Sequence, residues 1–279
     1  MSERTDVLHA GADRDGVAGR VWNAFVRWFW RFFRHRVPPE VVGTAVPKFG
    51  GLGLGGAFVV LVVASGLSFV FLDPLFFGLF SGIDAQSKVR LLEWAWIGKA
   101  NMPLYVTGSV ALLLMLTSLV TVVERRRVQI AQLASTFGFL FFAIAAPGGM
   151  AAALKQIIGR ARPFMSPQTG YWDFQPLGGF SYASLPSGDA CNAFALATAF
   201  GLLFPKTRFV MFPYAAIVAV GRMAGDRHYF TDVMLGAILG MAGAYWVALW
   251  CARRRHVFNI VDGKLRPRGY RVLRRPGTA

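Results

Sequence analysis

The chain has 279 residues, of which 55% are hydrophobic and 16% are charged. Its apolar residues fall into blocks of about twenty, the length of a helix that spans the hydrocarbon core of a bilayer, so the composition excludes an ordinary soluble protein and predicts an integral membrane protein. The formal net charge of +16 would favour nucleic-acid binding in a soluble protein, but in a membrane protein it must first be compared with the topology.

The first fifty residues contain a polar start and then an amphipathic segment. Between Val21 and Arg36, aromatic and aliphatic side chains recur at helical spacing, and arginines lie mostly on another face. This pattern is typical of a helix that lies flat among lipid headgroups. We therefore predict an N-terminal amphipathic interfacial helix within residues 1–50, with a poorly ordered basic tail as the alternative.

Six apolar blocks follow, and each one stops at a polar or proline-containing stretch. The first block is expected to break at Asp73-Pro74, and the third is expected to kink at Pro147-Gly148-Gly149. The sequence therefore predicts an all-α fold, a six-transmembrane-helix bundle in residues 51–252, followed by a basic cytoplasmic tail in residues 253–279. The predicted spans are residues 52–72, 103–123, 129–154, 186–204, 209–224 and 230–251.

The distribution of lysine and arginine predicts the orientation in the membrane. Six spans place both termini on one side, and most of the 30 Lys and Arg residues lie on that side, in the terminal segments and in the loops at 125–127 and 206–208. Cytoplasmic loops are enriched in these residues, so we predict cytoplasmic termini. This asymmetry explains most of the net charge without a nucleic-acid partner. The two cysteines lie on different predicted spans, and neither a disulfide framework nor a metal site is predicted from them.

Three short blocks at the predicted outer ends of the helices carry the candidate chemistry. The first is Lys155 followed by Arg162-Pro163, at the end of the third span. Long cationic side chains at a helix end commonly reach for lipid headgroups, which is the alternative explanation. A phosphate requires fixed donors to several oxygens, and the Arg fork and the Lys ammonium supply them.

The second block is Pro186-Ser187-Gly188-Asp189, which opens the fourth predicted span. Proline is tolerated in a first helical turn, serine caps helices, and glycine lets a ligand approach the backbone. The free amides of that turn and the helix dipole together favour an anion. Alone this motif is weak, because many helices begin in the same way.

The third block combines Arg222, at the end of the fifth span, with His228 and Asp232 at the start of the sixth. A spacing of four residues puts His228 and Asp232 on one helix face, where the carboxylate would accept a hydrogen bond from one ring nitrogen and leave the other as nucleophile or base. A purely structural hydrogen bond is the alternative. Ionisable groups are costly within or close to the membrane, so their presence there favours a functional role.

Together the three blocks resemble the signature of the type 2 phosphatidic acid phosphatase superfamily, which also includes the vanadium haloperoxidases. The first block matches fully, and the third matches at Arg222, His228 and Asp232, with Gly221 in place of the usual serine. The second block departs from the family, because Asp189 stands where the family has a histidine. The motifs cover residues 155–240.

The resemblance implies a two-step phosphate transfer that needs no metal or other cofactor. His228 would attack phosphorus and form a phosphohistidine, and Asp232 would orient its ring. Charge that develops on the transferred group must be stabilised. The resemblance assigns that task to Lys155, Arg162, Ser187, the amide of Gly188 and Arg222.

Three interpretations of Asp189 stay open. In the first it is a working acid that protonates the leaving oxygen, in the role of the family histidine. In the second the substrate is a diphosphate, whose departing phosphate has a second pKa of about 6 and needs little help from an acid. In the third the change impairs catalysis, and the site binds a lipid phosphate without turnover.

The sequence thus predicts a lipid phosphatase of the bacterial inner membrane, with its site at the periplasmic face. Polyprenyl diphosphates, phosphatidate-like lipids and lipid A type glycolipids all fit as substrates. The alternatives are a lipid phosphotransferase that uses the same phosphohistidine, and a catalytically silent protein that binds lipid phosphates. The oligomeric state is not predicted.

Overall fold

The computed structural model describes residues 39–44, 54–84, 86–88 and 101–268, together with residues 19, 22, 26, 37 and 90. Within this part of the chain the protein is mostly helical. The interfacial helix predicted for residues 21–36 lies outside the described residues, apart from Trp22 and Val26, which are helical.

Nine α-helices have both ends among the described residues. They are α1 (Pro39–Thr44), α2 (Leu54–Leu67), α3 (Asp73–Ser81), α4 (Met102–Val120), α5 (Glu124–Ile158), α6 (Ser166–Thr169), α7 (Gly188–Leu203), α8 (Arg208–Ala224) and α9 (Phe230–Arg253). Three 3₁₀ turns also lie in the loops, at Pro163–Met165, Phe180–Tyr182 and Pro205–Thr207.

Among the described residues, four helical segments are long and apolar enough to cross a membrane. They are Phe58–Ser81, Met102–Val120, Glu124–Ile158 and Phe230–Arg253. Helix α7 is apolar but has only 16 residues, and α8 has 17. A helical membrane protein is therefore confirmed, whereas the number of six spans stays a prediction.

The first span does not break at Asp73-Pro74, contrary to the prediction. A π-helical segment, Ser68–Leu72, joins α2 directly to α3. The amide of Asp73 donates to the carbonyl of Ser68, five residues earlier, and Pro74 then lies in the first turn of α3, where its missing amide is tolerated. π-Helical turns inside α-helices are frequent at functional sites, and this one ends at the fully buried Asp73.

Helix α5 continues through Pro147 and does not end at the predicted boundary of residue 154. It ends at Gly159, whose φ of 65° lies in the left-handed region and whose amide donates to the carbonyl of Lys155, an ending that favours glycine. Lys155 therefore lies in the last turn of the helix, where the helix backbone fixes its position.

Helices α7 and α9 contact each other closely, through two glycines of α9. A Cβ on Gly236 would collide with the carbonyl oxygen of Ser187, and a Cβ on Gly240 would collide with that of Cys191. Only a residue without a side chain allows the two backbones to approach so closely. Because Ser187 immediately precedes α7, this contact fixes the start of α7 against α9.

A β-hairpin follows α9, inside the predicted basic tail of residues 253–279. Its strands, Phe258–Val261 and Lys264–Pro267, pair antiparallel, and Asp262-Gly263 form the turn with positive φ at both residues, as in the tight turns that Asp-Gly favours. Phe258 is fully buried and packs edge-on against Phe139 of α5, with ring centroids 4.9 Å apart. The packed domain thus extends past residue 252.

We expect Gly240→Ala to lower the free energy of unfolding by about 1–3 kcal/mol, because the added methyl group overpacks the contact with Cys191. The midpoint of thermal unfolding in detergent would fall accordingly. Gly138→Ala is the matched control, since a Cβ there meets nothing within 4 Å. Equal midpoints for the two variants would contradict the close contact of α7 and α9.

Candidate active site

The chemistry-bearing residues lie at one end of the helix bundle. Lys155 is in the last turn of α5, Arg222 is in the last turn of α8, Ser187 caps the start of α7, and His228 precedes α9 by two residues. The amide of Ser187 donates to the carbonyl of Asp232, with a distance of 2.8 Å. The structure therefore brings residues from all three sequence blocks together.

The start of α7 forms one side of the site. The Ser187 side chain accepts a hydrogen bond from the amide of Ala190, as an N-cap does. The ammonium of Lys155 lies beside Gly188, at 3.2 Å from where a Cβ on that glycine would be. The positive end of the helix and the Lys155 charge therefore face the same space, an arrangement that attracts an anion.

Arg162 is held from two sides in the loop after α5. Its Nε donates to the carbonyl of Phe180 at 2.9 Å, and its guanidinium lies over the Phe180 ring, 4.1 Å from the centroid. Burial, assisted by the charge of Arg227, lowers the pKa of Arg162 to about 10, so the group is still a cation at neutral pH. Its orientation is therefore set by Phe180 before any ligand arrives.

Asp189 forms an ion pair with Arg222. The distance from Asp189 Oδ2 to Arg222 Nε is 3.1 Å. The two groups are not aligned for a hydrogen bond, but the attraction between their charges depends little on angle. Both side chains are partly exposed. The residue that replaces the family histidine thus lies among the cations of the site, where a phosphate would compete with it for Arg222.

His228 is almost fully buried, with 3% of its surface exposed. Its Nδ1 lies 2.9 Å from the carbonyl oxygen of Ser184. A carbonyl can only accept a hydrogen bond, so Nδ1 carries the proton and the lone pair of the neutral ring is on Nε2. Such a tautomer presents Nε2 as a nucleophile.

The expected hydrogen bond between His228 and the Asp232 carboxylate is not formed. The distance from Nδ1 to Asp232 Oδ2 is 3.9 Å, too long for a hydrogen bond. The prediction assumed that both residues lie on one helix face, but α9 begins at Phe230. His228 therefore lies before the helix, and Ser184 supplies its partner.

The charges around His228 determine its protonation. Burial lowers the pKa of His228 well below its ordinary value, and the positive charges of Lys155, Arg162 and Arg222 lower it further. The imidazole is therefore neutral at pH 7, as a nucleophile must be. The charges of these three cations therefore act together on one ring.

The Asp232 carboxylate is the most highly connected group next to the site. Its Oδ2 accepts hydrogen bonds from Ser184 Oγ at 2.5 Å and from the amide of Tyr229 at 2.9 Å. Its Oδ1 accepts from Arg160 at 2.7 Å. Asp232 thus fixes Ser184, whose carbonyl in turn holds His228.

Sequence reasoning missed two residues of this network, Arg160 and Asp73. The sequence motifs did not single out Arg160, and Asp73 entered only as part of a predicted helix break. In the structure both are fully buried, and they form an ion pair of 2.7 Å. One signal was available, since a carboxylate inside an apolar span is costly unless it has a partner. The identity of that partner, 87 residues away, has no local signature.

A cavity also lies elsewhere in the bundle, apart from the candidate site. It has a volume of about 680 Å³ between α4, α5 and α9, and its lining includes Leu112, Ala134, Phe142 and Trp250. Ala134 lies in the first half of α5 and Trp250 near the end of α9, away from Lys155 and His228. The candidate active site is therefore not this cavity but the polar cluster at the opposite ends of the two helices.

Comparison with known proteins agrees with the motifs. The model of the PAP2 superfamily matches residues 136–256, which include all eight candidate site residues. The lipid A 1-phosphatase of Rhizobium johnstonii is 30% identical over 182 residues, 65% of this chain and 70% of that protein. The lipid A 1-phosphatase of Rhizobium etli is 29% identical over 182 residues, 65% of this chain and 74% of that protein. The crystal structure of Aquifex aeolicus LpxE covers 63% of this chain and 94% of that chain at 21% identity, with a TM-score of 0.44, a likeness too slight to add to the assignment.

The chain therefore belongs to the PAP2 superfamily, the type 2 phosphatidic acid phosphatases that the three blocks resemble. It is a membrane phosphatase of this type.

We expect the acid limb of the kcat/KM profile to lie below pH 6.5, because the lowered pKa of His228 keeps the ring neutral down to more acidic solutions. Lys155→Met should move this limb to higher pH, since one of the charges that lower the His228 pKa is lost. The profile would be measured in detergent with two substrates whose phosphate pKa values differ, so that ionisation of the substrate can be distinguished from ionisation of His228. Lys206→Met, exposed in the 3₁₀ turn before α8, is the control and should leave the limb in place. A limb above pH 6.5 in the native protein would contradict a neutral His228.

Proposed function

We propose that the protein hydrolyses a lipid phosphate or diphosphate through a phosphohistidine on His228. One observation carries the proposal: a buried, neutral imidazole, with its Nε2 lone pair available, lies in the field of Lys155, Arg162 and Arg222. A nucleophile next to several fixed cations is the arrangement that phosphoryl transfer requires, because most of the catalysis is positioning and charge stabilisation.

Binding begins with the phosphate between the cations and the first turn of α7. Lys155 lies beside Gly188 there, so one phosphate oxygen can meet both the ammonium and the free amides of the helix. Arg222 exchanges its Asp189 partner for a second oxygen, and Arg162, already oriented by Phe180, takes a third. A singly protonated phosphate can pass its proton to the displaced Asp189 carboxylate.

In the first step, Nε2 of His228 attacks phosphorus and the bond to the lipid oxygen breaks. Asp189 gives its proton to that oxygen, and the alcohol of the lipid leaves. The ring becomes a cationic phosphohistidine, and its Nδ1–H bond to the Ser184 carbonyl strengthens as the charge appears. Asp232, at 3.9 Å, stabilises the same charge without sharing the proton.

In the second step, water attacks the phosphohistidine. The Asp189 carboxylate takes the proton of the water, the bond between phosphorus and Nε2 breaks, and inorganic phosphate leaves. With a diphosphate the first departing group is itself a phosphate, which needs no proton from Asp189. The residues of the chain supply every group that these two steps require.

We propose the phosphate of a lipid A type glycolipid as the first substrate to test, because two Rhizobium relatives are lipid A 1-phosphatases. Polyprenyl diphosphates and phosphatidate-like lipids fit the same anion site. For location, we propose a multi-pass inner-membrane protein with cytoplasmic termini and a periplasmic site. Arg125, Arg126 and Arg127 begin α5 and Lys155 ends it, so the cation-rich loop and the site lie at opposite ends of one helix.

The ion pair of Asp189 with Arg222 supports a second candidate function. The Asp189 carboxylate is paired with Arg222, a group that would otherwise donate to the phosphate. With this pairing the protein would bind lipid phosphates without turning them over. A lipid phosphotransferase would use the same first step, with another lipid in place of water in the second step. The following assays separate these possibilities.

Purified protein in detergent with EDTA should release free phosphate from at least one lipid phosphate, and His228→Ala should reduce release to the uncatalysed background because the nucleophile is lost. His256→Ala is the control, since this histidine lies at the other end of α9 and should not affect the reaction. If the lipid phosphate disappears and no free phosphate is detected, the protein transfers the phosphate to another acceptor instead. Full activity of His228→Ala would refute the phosphohistidine.

Asp189→Asn should slow the hydrolysis of a lipid monophosphate by about 10²–10⁴-fold, the usual contribution of a general acid, and should slow a diphosphate less. Rates of phosphate release from both substrates would be compared. Equal losses on the two substrates would contradict the role of Asp189 as the acid for the leaving oxygen. A native chain without turnover, made active by Asp189→His, would establish the impaired alternative.

A further inference from the structure

Arg160 is a fully buried cation between two carboxylates. One terminal nitrogen donates to Asp73 Oδ2 and the other to Asp232 Oδ1, both at 2.7 Å. The two faces of its guanidinium lie against the rings of Phe69 and Tyr229, each with its centroid at 4.0 Å. This triad links the π-helical turn of the first span to the first turn of α9.

Stability alone does not account for such a triad. Removal of each ion from water costs several kcal/mol, and buried ionic groups can often be replaced by apolar residues without loss of stability. Phe69 also packs against Trp172 and Phe174, with ring centroids at 4.5 and 6.1 Å. The side chains of Arg160, Asp73 and Asp232 have no exposed surface, so the charges interact strongly and their geometry is narrowly defined.

The triad is connected to the nucleophile by two routes. Through its side chain, Arg160 holds Asp232, which accepts from Ser184 Oγ. Through its main chain, the carbonyl of Arg160 accepts the amide of Ser184 at 3.1 Å. Ser184 is therefore held at its amide by Arg160 and at its hydroxyl by Asp232, the partner of Arg160. The Ser184 carbonyl is the partner of His228 Nδ1.

Asp73 adds a second connection to the same helix. Its Oδ2 pairs with Arg160, and its Oδ1 accepts from the amide of Thr231 at 2.8 Å. Thr231 lies in the first turn of α9, beside Asp232. Asp73 therefore fixes both the guanidinium of Arg160 and the start of α9.

We infer that Asp73 and Arg160 are positioning residues for phosphate transfer, which act through Asp232 and Ser184 on the ring of His228. The inference rests on the proposed function. By keeping the Ser184 carbonyl in place, the two residues hold the proton on Nδ1 and direct Nε2 at phosphorus. The first span is then part of the catalytic apparatus, although neither residue touches the substrate.

Arg160→Lys tests this inference, because lysine keeps the charge but cannot bridge two carboxylates with a rigid fork. We expect kcat to fall about 10- to 100-fold, since a displacement of about 1 Å at a reacting group has an effect of this size, while KM changes less than about threefold. Arg254→Lys is the matched control: Arg254 is also buried and lies 3.9 Å from the Trp250 ring, at the far end of α9. Its kcat should stay unchanged.

The double variant Asp73→Leu with Arg160→Met separates positioning from stability. It removes one charge of each sign from the interior but leaves Asp232 without its guanidinium partner, so the thermal midpoint should fall less than in Arg160→Met alone, whereas kcat should fall as in Arg160→Lys. Wild-type kcat in a stable double variant would overturn the inference. A rise in KM with unchanged kcat would also overturn it, because the residues would then act on binding.

A measurement without turnover separates this inference from the proposed function. In protein labelled with ¹⁵N-histidine, the signal of His228, assigned by its loss in His228→Ala, should show the Nδ1–H tautomer in the native chain and a mixture of tautomers in Arg160→Lys. If the native protein releases no phosphate from any lipid, the proposed function fails but this spectrum still tests the positioning. Identical His228 signals in both proteins would overturn the inference.

Discussion

The buried carboxylate of Asp232 is the group on which the local structure depends. A carboxylate removed from water must have its oxygens satisfied by donors or lose several kcal/mol. Here the donors come from Arg160, Ser184 and Tyr229, and the main-chain carbonyl of Asp232 also accepts the amide of Ser187. The loop after α5, the segment before α7 and the start of α9 are thereby fixed around one residue, and the helix ends that bear the site cannot move independently.

The cations of the site serve two purposes at once. The charges of Lys155, Arg162 and Arg222 attract a phosphate, and the same charges disfavour protonation of His228. The same cations therefore meet both requirements: they bind the phosphate and keep the His228 ring neutral. Asp189 partly offsets that field through its ion pair with Arg222, which a neutral histidine at the same position could not do.

Much of the architecture could be predicted because polar residues mark the ends of apolar runs. The predicted starts at 209 and 230 agree within a residue with α8 and α9. The three blocks were found because their spacing is local. The pairing of His228 with Asp232 was wrong because the helix begins two residues after the histidine, and a four-residue spacing has meaning only inside a helix. The Asp262-Gly263 turn was visible in the sequence, but the basic residues around it favoured a tail.

The pair of Asp73 and Arg160 could not be predicted, for a physical reason. Its specificity comes from the π-helical turn that places Asp73 in the interior and from the loop geometry that places Arg160 opposite, and neither has a local pattern.

The formal charges nevertheless suggest why the pair belongs to the site. Around it, five cations (Lys155, Arg160, Arg162, Arg222 and Arg227) face three carboxylates (Asp73, Asp189 and Asp232), so two positive charges are in excess. A phosphate dianion cancels that excess. The site with its ligand is thus formally neutral, which limits the electrostatic cost of the bound state in an apolar surrounding. Without Asp73, Arg160 would keep only the carboxylate that also orders Ser184, and the empty site would hold a third uncompensated cation.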